Sequence, residues 1–471
     1  MNWRSTFFNF RPGGISNILG MGLFLLLLFN PNSQSASAQI CTGDILLRSQ
    51  TDIDNFSCQS VTGNLQIQEE IAGDITNLDG LANLTSVRGT MWVQSNDALT
   101  NVDGLANLSS VGGDFYVKDN GALTNIDGLS NLSSARSLSI WRNDALTNID
   151  GLANLSSVGS LSIFDNGALT TIDGLANLTS VGRLVINQND ALTNIDALAN
   201  LSSVGSASSI EGNDALTNID GLANLTSVGS LSISNNGALT NIDGLANLSS
   251  SVSGLRIQSN DALTNIDGLA NLSSVGYTLW VQSNDALTNV DGLANLTSVG
   301  GSSFGGSLYI SRNDALTNVD GLANISSVGR DLWVYLNGAL TRCCGLYPLL
   351  TSGTIGGSTQ IYGNGGGCTV ADITTSTACA AEDRIQTLRE QVDQLVNTNV
   401  LNTGQGQGLT NKLKSASKQL EKGNTAAVLN KLNEFIAQVI DFASDGILTP
   451  QQAEPLFNAA NDIIDLINSA T

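Results

Sequence analysis

The chain is 471 residues long, with 41 acidic and 19 basic residues, a formal net charge of −22 and no histidine. That charge repels nucleic acid and anionic lipid surfaces, and the missing histidine removes His-dependent triads, His general bases and His metal sites together. A strong internal period also breaks the usual inference from length to a number of globular domains, because a repeat array grows in one dimension.

Residues 1–38 read as a secretory signal peptide. Arg4 and Arg11 precede an apolar run from Ile18 to Phe29, and "SASAQ" then offers small residues at Ala36 and Ala38 before a cut. The run is too short to span a bilayer. The remaining chain has no second apolar run of spanning length, so the expectation is a secreted, periplasmic or cell-surface bacterial protein that is not transmembrane once the signal is removed.

All six cysteines follow that cut, at Cys41, Cys58, Cys343, Cys344, Cys368 and Cys379. They bracket the repeats and are absent from them, which in an exported chain reads as two disulfide-stapled caps, at 39–74 and 343–380. Cys41 with Cys58 is the local choice at one end, and several connectivities stay open at the other.

Between the caps, at 75–342, an Asn opens each "N(D/G)ALT" at 96, 120, 143, 166, 189, 213, 236, 260, 284, 313 and 337, after a degenerate unit at "DITNLDGL". The step is 23 or 24 residues except from Asn284 to Asn313, where it is 29. Apolar positions keep their type from copy to copy, as at Leu161, Ile163, Leu169, Ile172, Leu175, Leu178 and Val181. These pieces are too short and too interrupted for helices, and one unit cannot bury its own apolar face. About twelve stacked rungs of a parallel β-solenoid bury it jointly, in a rod roughly 55–60 Å long.

The pattern L-x-I-x-x-N-x-x-L-x-x-I-x-x-L-x-N-L-x-x-V-x-G resembles the receptor L domain, the leucine-rich-repeat relative that forms the ligand-facing lobes of insulin and epidermal growth factor receptors. The resemblance runs from "CTGDI" to "LTRCCGLYPLL" and the last cysteines, roughly 41–380, and departs from the family in length and in the near identity of its units. It implies a right-handed solenoid that binds ligands and performs no chemistry.

Stacking turns each repeated residue into a column. The Asn96 column reads as an amide ladder at a turn. In the Asp column, which includes Asp103, Asp127 and Asp150, like charges lie one strand spacing apart. Either each Asp accepts from a backbone N–H two residues on, in a solvated turn, or Ca²⁺ sits between rungs on those carboxylates. The first reading carries more weight because the nonapeptide of Ca²⁺-loaded β-rolls is missing, and no other cofactor is expected. The recurrent N-L-S/T sequons, Asn83 and Asn324 among them, read as corner residues. An enzyme is not expected, since these aspartates are the repeat itself and a catalytic site is a departure from it.

The copies differ in the short strand before each Asn. Alternation points its first and third residues inward and its second outward, which places Trp92, Tyr116, Trp280, Tyr309 and Trp333 on the exposed sheet face. Trp141 and Tyr335 fall in the same window, with Arg142, Arg256 and Arg312 on or beside it. These seven aromatics are the candidate ligand-binding residues, in patches around 92/116 and 280/309/333, while Ser162, Val185, Ser209 and Ser232 occupy the middle. Rigid aromatic surface suits a glycan or protein ligand, and shielding of the sheet by cross-strand pairs is the competing explanation. The five extra residues near "GGSSFGGS" are expected to wall the second patch with Phe304.

From 381 to 471 the composition turns to helix formers. Apolar spacing at Ile385, Leu388, Val392 and Leu395, and three further sets, predicts three or four helices, with Thr449, Pro450 and Gln452 opening the last and Gly446 ending the one before. The segment from 385 to 469, including "FIAQV", is similar to the FIMAH domain of exported bacterial proteins, as either a solubilising cap or an attachment module. Together these features describe a non-catalytic extracellular binding or adhesion protein. The alternatives are a self-assembling envelope or matrix protein and an ice- or mineral-contacting solenoid that uses the column at Thr100, Thr124, Thr147 and Thr170.

Overall fold

The computed structural model describes residues 39–249, 252–301 and 305–470; the signal-peptide segment and Phe304 lie outside them. Each rung starts from a strand whose inward residues stack in register on the rungs before and after it. Leu138 pairs with Leu161 and Leu161 with Leu184, and Ile140, Ile163 and Ile186 follow one another in the same way. Every pairing along this sheet is parallel, so the fold is a parallel β-solenoid followed by a helical region.

The repeat holds two strand segments, where the sequence pattern showed one. In the central rungs the "SV" dipeptide is continuous with the variable strand, as in Ser110–Lys118 and Ser227–Ser234. Nearer the ends it separates, as Ser86–Val87 and then Met91–Gln94. Toward the C-terminus, Ser274–Val275, Ser298–Val299, Ser327–Val328 and Thr354–Ile355 form a separate four-stranded sheet.

The far side of each rung is a three-residue 3₁₀ turn at the Asp-Gly-Leu sequence, such as Asp103–Leu105. The expected Asp-centred turn is corrected here. The residue two places earlier makes the turn, with Asn101 Oδ1 accepting from Asp103 N–H at 3.1 Å and Asn125 Oδ1 from Asp127 N–H at 3.2 Å, which leaves the carboxylate to solvent. The central glycine allows a close approach of successive rungs: a Cβ on Gly104 would lie 1.7 Å from Leu78 O of the preceding rung.

Leu99, Val102, Leu105, Leu108, Phe115 and Val117 fill one rung's interior with no exposed surface, and a fully buried side chain of this kind contributes roughly 1.5–3 kcal/mol. The ladder asparagines are equally buried. Asn120 Oδ1 accepts from both Asn96 N–H and Asn96 Nδ2, and Asn120 Nδ2 donates to Val93 O. The pattern continues to Asn337 and ends on Asn364. At the other end Glu69 donates its N–H to Asn96 Oδ1 while its carboxylate accepts from Gly73, Ile75 and Asp97 N–H; those backbone bonds outweigh burial and lower its pKa. The sequon asparagines from Asn107 to Asn324 form a second, exposed column that donates to the preceding rung, as Asn107 to Ala82 O at 2.8 Å and Asn324 to Ala294 O at 2.7 Å.

The disulfides join Cys41 to Cys58, Cys343 to Cys368, and Cys344 to Cys379. The last ties the final 3₁₀ turn to the first of four tail helices, Thr377–Asn397, Thr403–Leu420, Thr425–Ser444 and Pro450–Ser469. Those helices close around Ile385, Leu388, Leu409, Leu413, Phe435, Val439, Leu456 and Ile463. Gln452 Oε1 accepts from Thr449 N–H at the last helix start, and Gly446 has the left-handed φ of +72° that ends the helix before it. Arg342 bridges solenoid and tail, reaching Asp320 at 2.5 Å and Glu421 at 2.9 Å.

Candidate functional site

Strand alternation and exact register produce two outward columns on the long sheet. The first carries Gln66, Trp92, Tyr116, Ser139, Ser162, Val185, Ser209, Ser232, Arg256, Trp280, Tyr309, Trp333 and Gln360 in succession. The second, two residues along each strand, includes Lys118, Trp141, Phe164, Asn187, Glu211, Ser234, Gln258, Gln282, Ser311, Tyr335 and Tyr362 from one rung to the next. Apart from Val185, Ser234 and Ser311, which are buried, side chains in these columns meet their column neighbours and water, so the positions can vary without disturbing the core.

The aromatics in the columns touch. Trp92 and Tyr116 stack at 6.0 Å between ring centroids and 11° between planes; Trp280 and Tyr309 stack at 5.6 Å and 11°. Tyr309 meets Trp333 edge-on at 5.4 Å, and Trp333 meets Tyr335 edge-on at 6.0 Å. Trp141 stacks on Phe164 at 5.0 Å, and Tyr335 on Tyr362 at 5.4 Å. Four of the seven sequence-selected aromatics, Trp280, Tyr309, Trp333 and Tyr335, are thus one connected surface. Trp92 and Tyr116 form a pair, and Trp141 stands one rung further on in the other column.

Phe164 and Tyr362 were missed, although both sit at the fourth strand position in "LSIFDN" and "TQIYGN", where alternation also points outward. Trp280 is 37% exposed and Tyr362 47%, whereas Val185 at mid-array is only 9% exposed. The near-parallel pairs have centroid separations of 5.0 to 6.0 Å, within the range of offset stacking.

Polar groups fix these rings. Trp333 Nε1 donates to Ser358 Oγ at 3.3 Å, and Ser358 donates through both Oγ and N–H to Asp331 Oδ1, at 2.8 and 2.9 Å. Those two bonds from Ser358 are the main reason that the Asp331 pKa is lowered. Tyr116 Oη donates to Asp114 at 3.4 Å, and burial, then the Asp114 charge, raise the phenol pKa. Lys118 Nζ lies 4.7 Å and the Arg142 guanidinium 5.1 Å from the Trp141 ring centroid, at cation–π distance. Arg142 also pairs with Asp165 at 3.2 Å and Asp119 at 3.9 Å.

The Asp column has no comparable convergence. Burial and the neighbouring carboxylates Asp173 and Asp127 raise the Asp150 pKa. Among the described residues no three Cys, Asp or Glu side chains are grouped to hold a metal ion, and no helix is long and apolar enough to cross a membrane.

No curated protein matches this chain. Residues 57–172 match the receptor L domain and residues 385–465 the FIMAH domain, so the chain joins a receptor L-type repeat region to a C-terminal FIMAH domain, the make-up of a receptor-like binding protein.

Proposed function

We propose that this chain is a non-catalytic extracellular or cell-surface binding protein that holds a glycan on the aromatic columns of its solenoid. The observation that carries this reading is the connected surface from Trp280 to Tyr362, built only from positions that the fold leaves free to vary. Aromatic faces accept the apolar C–H faces of sugars, while Gln258, Gln282 and Gln360 beside them supply amides for hydroxyl groups. The chain acts by binding and needs neither cofactor nor turnover.

The test is binding of the whole chain to a panel of neutral polysaccharides, beside a Trp280→Ala/Trp333→Ala variant with an unchanged melting temperature. Truncating a tryptophan at the centre of a binding site costs ~2 kcal/mol or more, so the double variant should bind at least about 100-fold more weakly. Equal binding by both chains sinks the aromatic site. Failure of the wild type on the whole panel sinks the glycan.

The ice- or mineral-contacting alternative draws less support. Thr124 Oγ1 donates to Thr100 O at 3.1 Å and Thr170 Oγ1 to Thr147 O at 3.1 Å, so these column hydroxyls are committed to the neighbouring rung. Self-assembly through a repeated face predicts concentration-dependent sedimentation that is indifferent to the tryptophans.

A further inference from the structure

The two aromatic patches share a plan. Each opens on a Trp-x-Gln strand, Trp92 with Gln94 and Trp280 with Gln282. A tyrosine follows in the same column one rung later, stacked on that tryptophan at 11° in both patches. At the third rung an aromatic enters the second column, at Trp141 and at Tyr335; the second patch also keeps Trp333 in the first column, where the first patch has Ser139. Both patches end on the fourth rung with a stacked pair, Trp141 on Phe164 and Tyr335 on Tyr362, at 16° in both.

Following the register from Trp92 to Trp280 takes eight strand steps, or roughly 38 Å at ~4.8 Å per step. The inward residues beneath differ, Met91 and Phe115 in the first patch against Leu279 and Leu308 in the second, and Lys118 is replaced by Ser311. Residues 92–108 and 280–296 are the same seventeen residues, WVQSNDALTNVDGLANL, so the opening rung of each patch is one repeated block, while the tyrosine strands that follow differ, as FYVK and LYIS.

Resting on the glycan reading above, we infer that the solenoid is bivalent: the Trp92–Phe164 and Trp280–Tyr362 staircases are two equivalent subsites for one neutral, extended, β-1,4-linked glucan-type chain lying along the solenoid axis. Three features point to that occupant. The ring spacing of 5.4 to 5.6 Å along the Trp280, Tyr309 and Trp333 column is close to the repeat of a flat-ribbon glycan, so one sugar falls on each rung. The two columns carry few charges in a −22 chain: Lys118, beside Arg142 at the Trp141 ring, and Glu211 and Arg256 between the patches, with none from Trp280 to Tyr362, so the second patch suits an uncharged ligand. Between the patches, Ser209 and Ser232 with Val185 and Asn187 leave a track without rings over which a chain can pass. Occupying both ends of one track converts the second binding event into an intramolecular one.

The experiment is titration calorimetry of the whole chain with cellotetraose, too short to reach both patches, and with hydroxyethyl cellulose, long enough to do so. The expected result is two equivalents of cellotetraose per chain, one after W92A/Y116A and one after W280A/Y309A. The polymer should bind at least tenfold more tightly than the tetraose, and either double variant should abolish that gain. One equivalent on the wild type, or sensitivity to only one of the variants, overturns bivalency and leaves the single-site glycan reading standing. Absence of binding by both probes overturns the proposed occupant, and absence across the neutral panel overturns the function itself. The wild-type stoichiometry decides the matter even if a variant folds poorly.

Discussion

Asn213 offers the sharpest test of how the solenoid is held together. Its side chain has no exposed surface; its Oδ1 accepts from Asn189 N–H at 3.1 Å and from Asn189 Nδ2 at 3.3 Å, while its Nδ2 donates to Ile186 O at 2.8 Å. Asn213→Ala removes the partner of the Asn189 backbone N–H and takes one bond each from the Ile186 carbonyl and from the Asn189 amide, which keeps Ile163 O and Asn187 O. A buried group left without a partner costs about 1–3 kcal/mol and each further lost bond about 0.5–1.5 kcal/mol, and a water entering the polar gap recovers part of it. The expected loss is ~3–5 kcal/mol in urea unfolding followed by far-UV circular dichroism. The comparator is Asn224→Ala in the exposed column, which removes one bond to Ala199 O and should cost about 0.5–1.5 kcal/mol. Because stacked rungs are stabilised by their neighbours, the ladder break in mid-array should also split the transition into two phases. Equal costs for the two alanines, or an unchanged single transition, would show that the amide ladder is not what couples the rungs.

Three further outcomes follow from local geometry. Ala197 stands where other rungs have glycine; there the 3₁₀ turn lengthens to Asp196–Asn200, and among the described residues the Thr193-to-Thr170 bonds that continue this column elsewhere are missing. Ala197→Gly should restore them and raise the melting temperature, with a gain of about 1 kcal/mol once the unfolded-state entropy of glycine is deducted; a lower melting temperature would refute the steric account. Leu336 holds a left-handed φ of 56°, which costs a residue of its kind roughly 1 kcal/mol or more, so Leu336→Asn should stabilise by about that amount in the same denaturation assay. Burial raises the Glu382 pKa against the opposing pull of Ser417 and Arg342, and Asp320 and Glu421 raise it further. A raised carboxyl pKa means that the folded state binds the proton more tightly, so this stability is present below the ordinary carboxylate range and is lost as pH rises through the raised value. Glu382→Gln should therefore flatten the fall in melting temperature as pH rises above the ordinary carboxylate range, and an unaltered slope would refute it.

The rungs were legible in the sequence because a stacked fold makes each structural role a column of one residue type, and eleven copies of Asn96 and its neighbours show that type directly. The outward placement of Trp92 and Trp280 was legible from alternation alone. What stayed hidden was whatever lacks a period. A two-residue "SV" strand has none, and neither does a three-residue 3₁₀ turn. Adjacent Cys343 and Cys344 point in different directions only because a 3₁₀ turn begins between them, sending one to Cys368 within the cap and the other to Cys379 in the tail. Phe164 and Tyr362 stand in the second outward column, where Asn187, Glu211, Ser234 and Gln258 show no recurring residue type that marks the position.

Stability alone does not account for where the aromatics lie. A stacked pair on an exposed sheet contributes ~0.5–1.5 kcal/mol beyond its buried area, and the parallel register repeats the outward first-column position from rung to rung. The rungs from Val185 to Ser232 decline that gain and carry no aromatic in either column, while both flanks take it up, each with a Trp–Tyr pair at 11° and a second-column pair at 16°. Near-identical columns elsewhere in the repeat show how strongly this chain keeps a residue type when packing demands it. Where packing demands nothing, at the two outward columns, the residues still follow a plan, and the requirement they satisfy lies in what rests against that face.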